Sequence, residues 1–191
     1  VSEFETKEYL NACKIPVKAH VQKNAIDTDK LNKKVSDEER KNIRALEKID
    51  GSIIKVWSDR NGNVRVSTNG MIDAVDADIL LPVNKIKTYQ DLFNEALNKT
   101  DMKLEDFKKY RDYTLIFELV SPLNRIVVPY QNTELFFLGV RNNQSGQEWT
   151  PYDFNDENLN NNFSRPKLYD IQTVEQAIDV AKTLGADKEG F

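Results

Sequence analysis

Ser52-Ile53-Ile54-Lys55-Val56-Trp57-Ser58, then Asp59-Arg60-Asn61-Gly62, then Asn63-Val64-Arg65-Val66-Ser67-Thr68: this stretch sets the architecture. Both flanking runs are rich in β-branched residues. Val64, Val66 and Thr68 alternate with Asn63, Arg65 and Ser67, the period of a strand with one buried face. The Asn-Gly step between the runs favours a tight hairpin turn, so the sequence predicts two antiparallel strands.

Beyond the hairpin, strands outnumber helices. Tyr113 to Val120 (YTLIFELV), Ile126-Val127-Val128 and residues 134–140 (ELFFLGV) read as strands, the first two separated by Ser121-Pro122-Leu123-Asn124. Thr88-Tyr89-Gln90-Asp91 opens an apolar-periodic run through Leu92, Phe93, Ala96 and Leu97, a helix, and Leu104 to Tyr110 adds another. Residues 141–169 are rich in Asn, Asp, Ser and Gly and read as a long irregular excursion. Thr173 with Gln176 forms a capping box ahead of Val174, Ala177, Ile178 and Ala181, with Gly185 marking the helix end. Upstream, Ser36-Asp37-Glu38-Glu39 has the same capping form and starts a short helix to about residue 44, after an irregular N-terminal stretch. Helices fall between hairpins rather than in strict alternation with strands. The expected class is α+β, antiparallel sheets with peripheral helices.

Composition narrows the function. Hydrophobic residues at 39% and charged residues at 30% describe a globular chain, and 191 residues suffice for one core. No apolar run is long enough to cross a bilayer, and the first residues resemble no signal peptide, so no membrane partner and a cytoplasmic location are expected. One cysteine, Cys13, and one histidine, His20, rule against disulfides and multi-histidine zinc sites, and both read as ordinary packing or surface residues. A net charge of −4 argues against a surface that is basic throughout, but local cationic strips remain compatible with a polyanionic ligand.

Lys48-Ile49-Asp50-Gly51 stands directly before the hairpin. Alone it is an Asp-Gly turn beside a surface lysine; its weight comes from the ordered set of motifs downstream. These are Ser67-Thr68-Asn69-Gly70, Phe117-Glu118-Leu119, Leu135-Phe136-Phe137-Leu138 and Glu189-Gly190-Phe191. A carboxylate such as Glu118 in an apolar strand is costly unless it faces a cleft or a partner. With these motifs the sequence resembles the covalent nucleotidyltransferase superfamily, and the run from Phe117-Glu118-Leu119 to Asn124-Arg125-Ile126-Val127-Val128-Pro129-Tyr130 resembles its phage-type RNA ligase branch. The resemblance covers roughly residues 44–191 and implies an ATP-grasp-like nucleotidyltransferase core of the DNA and RNA ligase kind.

The resemblance implies that Lys48 attacks ATP and carries AMP, which then passes to a polynucleotide 5′-phosphate before sealing. Asp50 would orient the lysine or act through metal and water, and Gly51 would let backbone approach the nucleotide. Glu47, Lys48, Gly51, Arg65, Glu118, Phe136 and Leu138 form the implied nucleotide set. Glu118 meets the ribose or a metal-bound water, and Phe136 with Leu138 stack on the base unless the opposite pair, Leu135 and Phe137, does so. Glu189 and Asp50 are the implied ligands of Mg2+ or Mn2+. The implied partners are ATP and RNA 5′-phosphate and 3′-hydroxyl ends, with the protein a monomer. A non-catalytic domain of the same fold, a DNA ligase and a capping-type enzyme are the alternatives.

Three departures qualify the match. Thr68 and Asn69 occupy the turn where the superfamily often has a basic residue, leaving Arg65 to compensate, and Leu138 stands where an aromatic residue is usual. The third is at the C-terminus: residues 1–191 read as a single adenylyltransferase domain truncated before a final lysine motif. A chain so shortened is expected to bind ATP weakly and to self-adenylate slowly or not at all.

Overall fold

The computed structural model describes residues 45–171 and 173–184, which fall into two compact units. Of these, the larger unit holds residues 50–165 and the smaller holds 45–49 with 166–171 and 173–184. The expected helix near residues 36–44, Cys13, His20, Gly185 and Glu189 lie outside the described residues.

In the smaller unit β1 (Ala45–Leu46) pairs antiparallel with β9 (Leu168–Tyr169). Helix α3 (Val174–Thr183) starts at Thr173, whose side chain accepts from the Gln176 amide while the Gln176 side chain accepts from the Thr173 amide. That is the capping box the sequence predicts.

The larger unit is built on a five-stranded, wholly antiparallel sheet in the order β3-β2-β6-β7-β8. Its strands are β2 (Ser52–Ser58), β3 (Val64–Thr68), β6 (Tyr113–Val120), β7 (Glu134–Asn142) and β8 (Glu148–Trp149). The β2–β3 hairpin forms as expected, but its turn is governed by Asp59, whose Oδ1 accepts from the amides of Asn61 and Asn63. Gly62 takes φ 79°, the left-handed conformation that makes glycine suitable there.

One sheet face is the core. Ile54, Val56, Val66, Leu115, Phe117, Leu119, Leu135, Phe137 and Val140 pack there against Leu92, Phe93, Phe107, Leu159 and Phe163. Phe117 centres an aromatic cluster, with rings of Phe107, Phe137 and Phe163 4.9–6.2 Å from it. Burying each such phenyl contributes about 1.5–3 kcal/mol, so this face anchors the unit.

The structure corrects three expectations. Ile126-Val127-Val128 is no strand, because the amides of Val127 and Val128 donate to the Asp50 carboxylate instead of to a ladder. Leu104–Tyr110 is helical but wound as a 3-10 helix. The stretch after Arg141 is more regular than its composition suggests, with β8, helix α2 (Glu157–Asn162) and β9 within it. Asp156 caps α2 by accepting from the Leu159 amide, and the same carboxylate accepts from the Tyr110 hydroxyl at 2.7 Å. An unforeseen antiparallel ribbon, β4 (Asp78–Val83) with β5 (Ile86–Thr88), leads into helix α1 (Tyr89–Leu97). Among the described residues no helix is long and apolar enough to cross a membrane.

The α1 cap gives a pH test. Asp91 accepts from the amides of Lys87 and Thr88 and from the Thr88 hydroxyl, and the hydrogen bond from the Lys87 amide leads the effects holding its carboxyl below the usual range. A depressed folded pKa stabilises fully above the unfolded value of about 3.9 and is lost as pH falls through the lower folded value. Asp91→Asn is expected to cost about 1 kcal/mol at pH 7. Urea melts should show the gap between wild type and variant closing below about pH 4.

Candidate active site

Asp50 and Gly51 lie at the head of β2. Asp50 is 6% exposed. Its Oδ2 accepts from the Val127 amide at 2.7 Å and the Val128 amide at 2.5 Å, and its own amide donates to the Tyr130 hydroxyl at 3.4 Å. Gly51 is needed for a different reason: a Cβ there would lie 2.5 Å from the Leu119 carbonyl oxygen and 2.9 Å from Glu118 Cγ. The close approach that glycine permits in this structure is therefore to β6, beside the Glu118 side chain.

Strand alternation sends the remaining candidates to the face opposite the core. Glu118 on β6 pairs with Ile53 on β2 and with Phe136 on β7. Leu135 and Phe137 enter the core, whereas Phe136 and Leu138 are half-buried on the other side. Glu118 is only 8% exposed, and Phe136, its cross-strand neighbour, lies 6.5 Å between ring centroids from Tyr130. The structure thus brings Asp50, Gly51, Glu118, Tyr130 and Phe136 into one neighbourhood. Ser164 closes the β7 edge beside it, its carbonyl accepting from the Phe137 amide at 2.8 Å.

Arg65 is engaged elsewhere on its strand. Its guanidinium meets Asp59 at 3.1 Å and Asp73 at 3.8 Å. The cation at the Ser67-Thr68-Asn69-Gly70 turn comes instead from β2: Lys55, 3% exposed, donates to Asn69 Oδ1 at 3.4 Å. Sequence reading passed over Lys55. The signal was present, since a lysine inside SIIKVWS is as anomalous in an apolar strand as Glu118 is in YTLIFELV.

In the smaller unit Lys48 is exposed and follows β1. Glu47 supports that strand pair: its amide donates to the Lys167 carbonyl at 2.8 Å, and its carboxylate accepts from the Lys167 amide at 3.3 Å. Among the described residues no group of three or more His, Cys, Asp or Glu side chains stands ready for a metal ion. Asp50 Oδ2 already serves two amides, so the described residues do not by themselves make a metal site.

Known proteins resemble this chain in sequence and in fold. A family model described as RNA ligase matches residues 22–191. The chain belongs to the RNA ligase family. A relative from Rhodothermus phage RM378, described as an RNA ligase, is 30% identical over 102 residues, 52% of this chain and 23% of that protein. A protein of Autographa californica nuclear polyhedrosis virus described as a putative bifunctional polynucleotide kinase/RNA ligase is 32% identical over 155 residues, 80% of this chain and 21% of its own. The chain therefore spans under a quarter of the length of either. Among solved structures, an archaeal ATP-dependent RNA ligase aligns with TM-score 0.56 at 16% identity, covering 77% of this chain and 37% of that one. A Naegleria gruberi RNA ligase variant with ATP and Mn aligns with TM-score 0.54 at 14% identity, covering 77% and 42%. At these identities the structural likeness speaks for the fold, which is that of the RNA ligases.

Within this RNA ligase fold the Asp50 clamp is open to direct measurement. Asp50→Ala leaves the Val127 and Val128 amides without their acceptor and is expected to cost about 3 kcal/mol in urea denaturation. Asp50→Asn keeps an acceptor oxygen and should cost roughly half as much. Equal and negligible effects of the two substitutions would show that the carboxylate does not hold that segment.

Proposed function

We propose that this chain is the adenylyltransferase domain of an ATP-dependent RNA ligase in which Lys48 becomes covalently adenylylated, both compact units belonging to that one domain. The observation that carries this reading is the order of its parts in a member of the RNA ligase family. Lys48-Ile49-Asp50-Gly51 runs directly into a strand that pairs with the Glu118 strand, where Glu118 pairs in turn with Phe136.

The chemistry balances as a displacement at phosphorus. The neutral Lys48 amine attacks the α-phosphorus of ATP, the nitrogen–phosphorus bond forms, and the bond to the α–β bridging oxygen breaks with pyrophosphate leaving. The lysine sheds a proton as the phosphoramidate forms. An RNA 5′-phosphate oxygen then takes the AMP and frees the lysine, and a 3′-hydroxyl displaces AMP to seal the strand. Asp50 acts as organiser of the motif, Glu118 holds the ribose, and Phe136 and Leu138 offer the apolar surface for adenine. Glu47 and Gly51 complete the proposed nucleotide set.

ATP is the adenylyl donor in this reading, with Mg2+ or Mn2+ as the accompanying cation, whose preferred ligands are oxygens such as those of the phosphates. Naegleria gruberi RNA ligase variants solved with ATP and Mn, and with AMP and Mn, support that choice. Glu189 and Asp50 are the side chains proposed toward the cation. The protein is proposed to act as a monomer in the cytoplasm on RNA 5′-phosphate and 3′-hydroxyl ends.

Incubating the full-length protein with α-labelled ATP and magnesium should give a label that survives denaturing electrophoresis. Lys48→Ala should abolish it, and Glu118→Ala should slow its formation by about 10²-fold, the usual scale for losing one well-placed polar contact in such a step. Label on the Lys48→Ala protein, or none on a wild type that binds ATP, would overturn the assignment.

A further inference from the structure

Lys55 is the least expected charge in the larger unit. A surface lysine lays its stem along apolar surface and keeps its ammonium in water, yet Lys55 is 3% exposed in the middle of β2. Holding an ammonium out of water costs several kcal/mol unless its surroundings answer it. The hydrophobic core makes no use of it, because Ile54 and Val56 on either side face the core and Lys55 faces the other way.

The register gives its surroundings. Lys55 pairs with Ser67 on β3 and with Ile116 on β6. Glu118, two positions along β6, is a diagonal neighbour at roughly 7–8 Å between Cα atoms, within reach of long side chains. Phe136 lies opposite Glu118 on the next strand. An ammonium, a carboxylate and an aromatic ring thus occupy adjacent strands on one face.

The turn that receives the ammonium is stiff. Thr68 Oγ1 accepts from the Gly70 amide at 3.3 Å and the Met71 amide at 3.0 Å. Ser67 Oγ accepts from the Trp57 indole at 2.7 Å and donates to the Ile72 carbonyl. Asn69, exposed at the tip, offers Oδ1 to Lys55 at 3.4 Å. Arg65, two residues before Ser67 on β3, is drawn to Asp59 and Asp73.

We propose that Lys55 is the built-in cation of the nucleotide site, a positioning residue whose charge, fixed by Asn69, favours the ATP phosphates on the outer face of the sheet. This inference rests on the adenylylation reading, in which Glu118 and Phe136 take the ribose and base and leave the phosphates to be met. A compact ammonium suits a phosphate as a point charge. In a low-dielectric setting it acts on an anion a few ångströms away without direct contact. A single buried cation does not suit an RNA backbone, which is tracked by several exposed ones.

The test uses full-length protein carrying Lys48→Ala, so that binding is read without covalent chemistry. Adenosine, AMP and ATP are titrated in magnesium buffer by calorimetry. Lys55→Met, close in volume but uncharged, is expected to weaken ATP about tenfold or more and AMP less, while adenosine changes by under about twofold. Lys55→Arg should keep most of the ATP affinity. Equal weakening of all three ligands, or none, would mark Lys55 as merely structural and overturn the proposal, as would an effect confined to sealing of pre-adenylylated RNA. If Lys55→Met does not fold, Asn69→Leu on the exposed turn decides: ATP weakened severalfold with adenosine unchanged supports the proposal, and unchanged ATP binding removes it. A Lys48→Ala parent that binds no ATP would sink the proposed function and this inference together, whereas a parent that binds ATP while Lys55→Met binds it equally well removes this inference alone.

Discussion

Two backbone amides on one carboxylate oxygen hold the candidate-site end of the larger unit together. Val127 and Val128 could have continued as a strand, as their composition suggests, but their donors turn to Asp50 Oδ2. That choice bends the segment after β6 into an irregular course. Ser121 bonds to Thr133 at its base, Asn124 reaches Ser52 and Tyr89, and Tyr130 returns to the Asp50 amide and lies against Phe136. A charged acceptor for two amides is worth more than a neutral one, so the loop is held from the head of β2. Gly51 completes the arrangement by letting β2 approach β6 where any side chain would collide. In the Lys-x-Asp-Gly tetrapeptide the Asp and the Gly therefore have packing reasons of their own, independent of any nucleotide.

The five-stranded sheet separates two kinds of work. Its core face is a continuous aromatic and aliphatic layer in which Phe117, Phe137, Leu115 and Ile54 are completely buried. Its opposite face carries Lys55, Glu118, Ser67 and the half-buried Phe136 and Leu138. Burying an ammonium and a carboxylate is unfavourable by itself, and replacing such groups with apolar ones is often stabilising. The apolar layer on the first face makes that cost tolerable on the second. This division explains why β2 and β6 each read as almost wholly apolar runs with one charge out of pattern.

Legibility followed the same division. Periodicity and turn chemistry located β2, β3, β6, β7, the start of α1 and the capping box of α3, because those signals are local. The Phe136 side of β7 could be told from the Phe137 side only by alternation, and one bulge shifts the register between Ile116 and Phe117. What escaped was set by partners distant in the chain. Ile126-Val127-Val128 loses its strand to a carboxylate 77 residues upstream, and the 3-10 turn of Leu104–Tyr110 and the order in the Asn-rich stretch depend on contacts such as that of Tyr110 with Asp156. The β4–β5 ribbon was invisible because Leu80, Leu81 and Val83 are exposed apolar residues with no alternation to betray a strand. Of the candidate site residues, the motif positions were found through the order of motifs. Lys55 was not, since no spacing rule points to a lysine whose meaning appears only when Asn69 folds back over β2.

A net charge of −4 argues only against a surface that is basic throughout, and the arrangement of charges is compatible with a small anionic ligand. Exposed cations act through water and fade beyond a Debye length of about 10 Å, so a protein that relied on them would need many. Charges set within a sheet are screened far less, so a few suffice for a ligand as small as a nucleotide. Arg65 illustrates the contrast: more exposed than Lys55, it is taken up by two carboxylates at the hairpin end. Charge placement relative to the two sheet faces, rather than the sum of charges, is therefore the property of this sequence that bears on what it can bind.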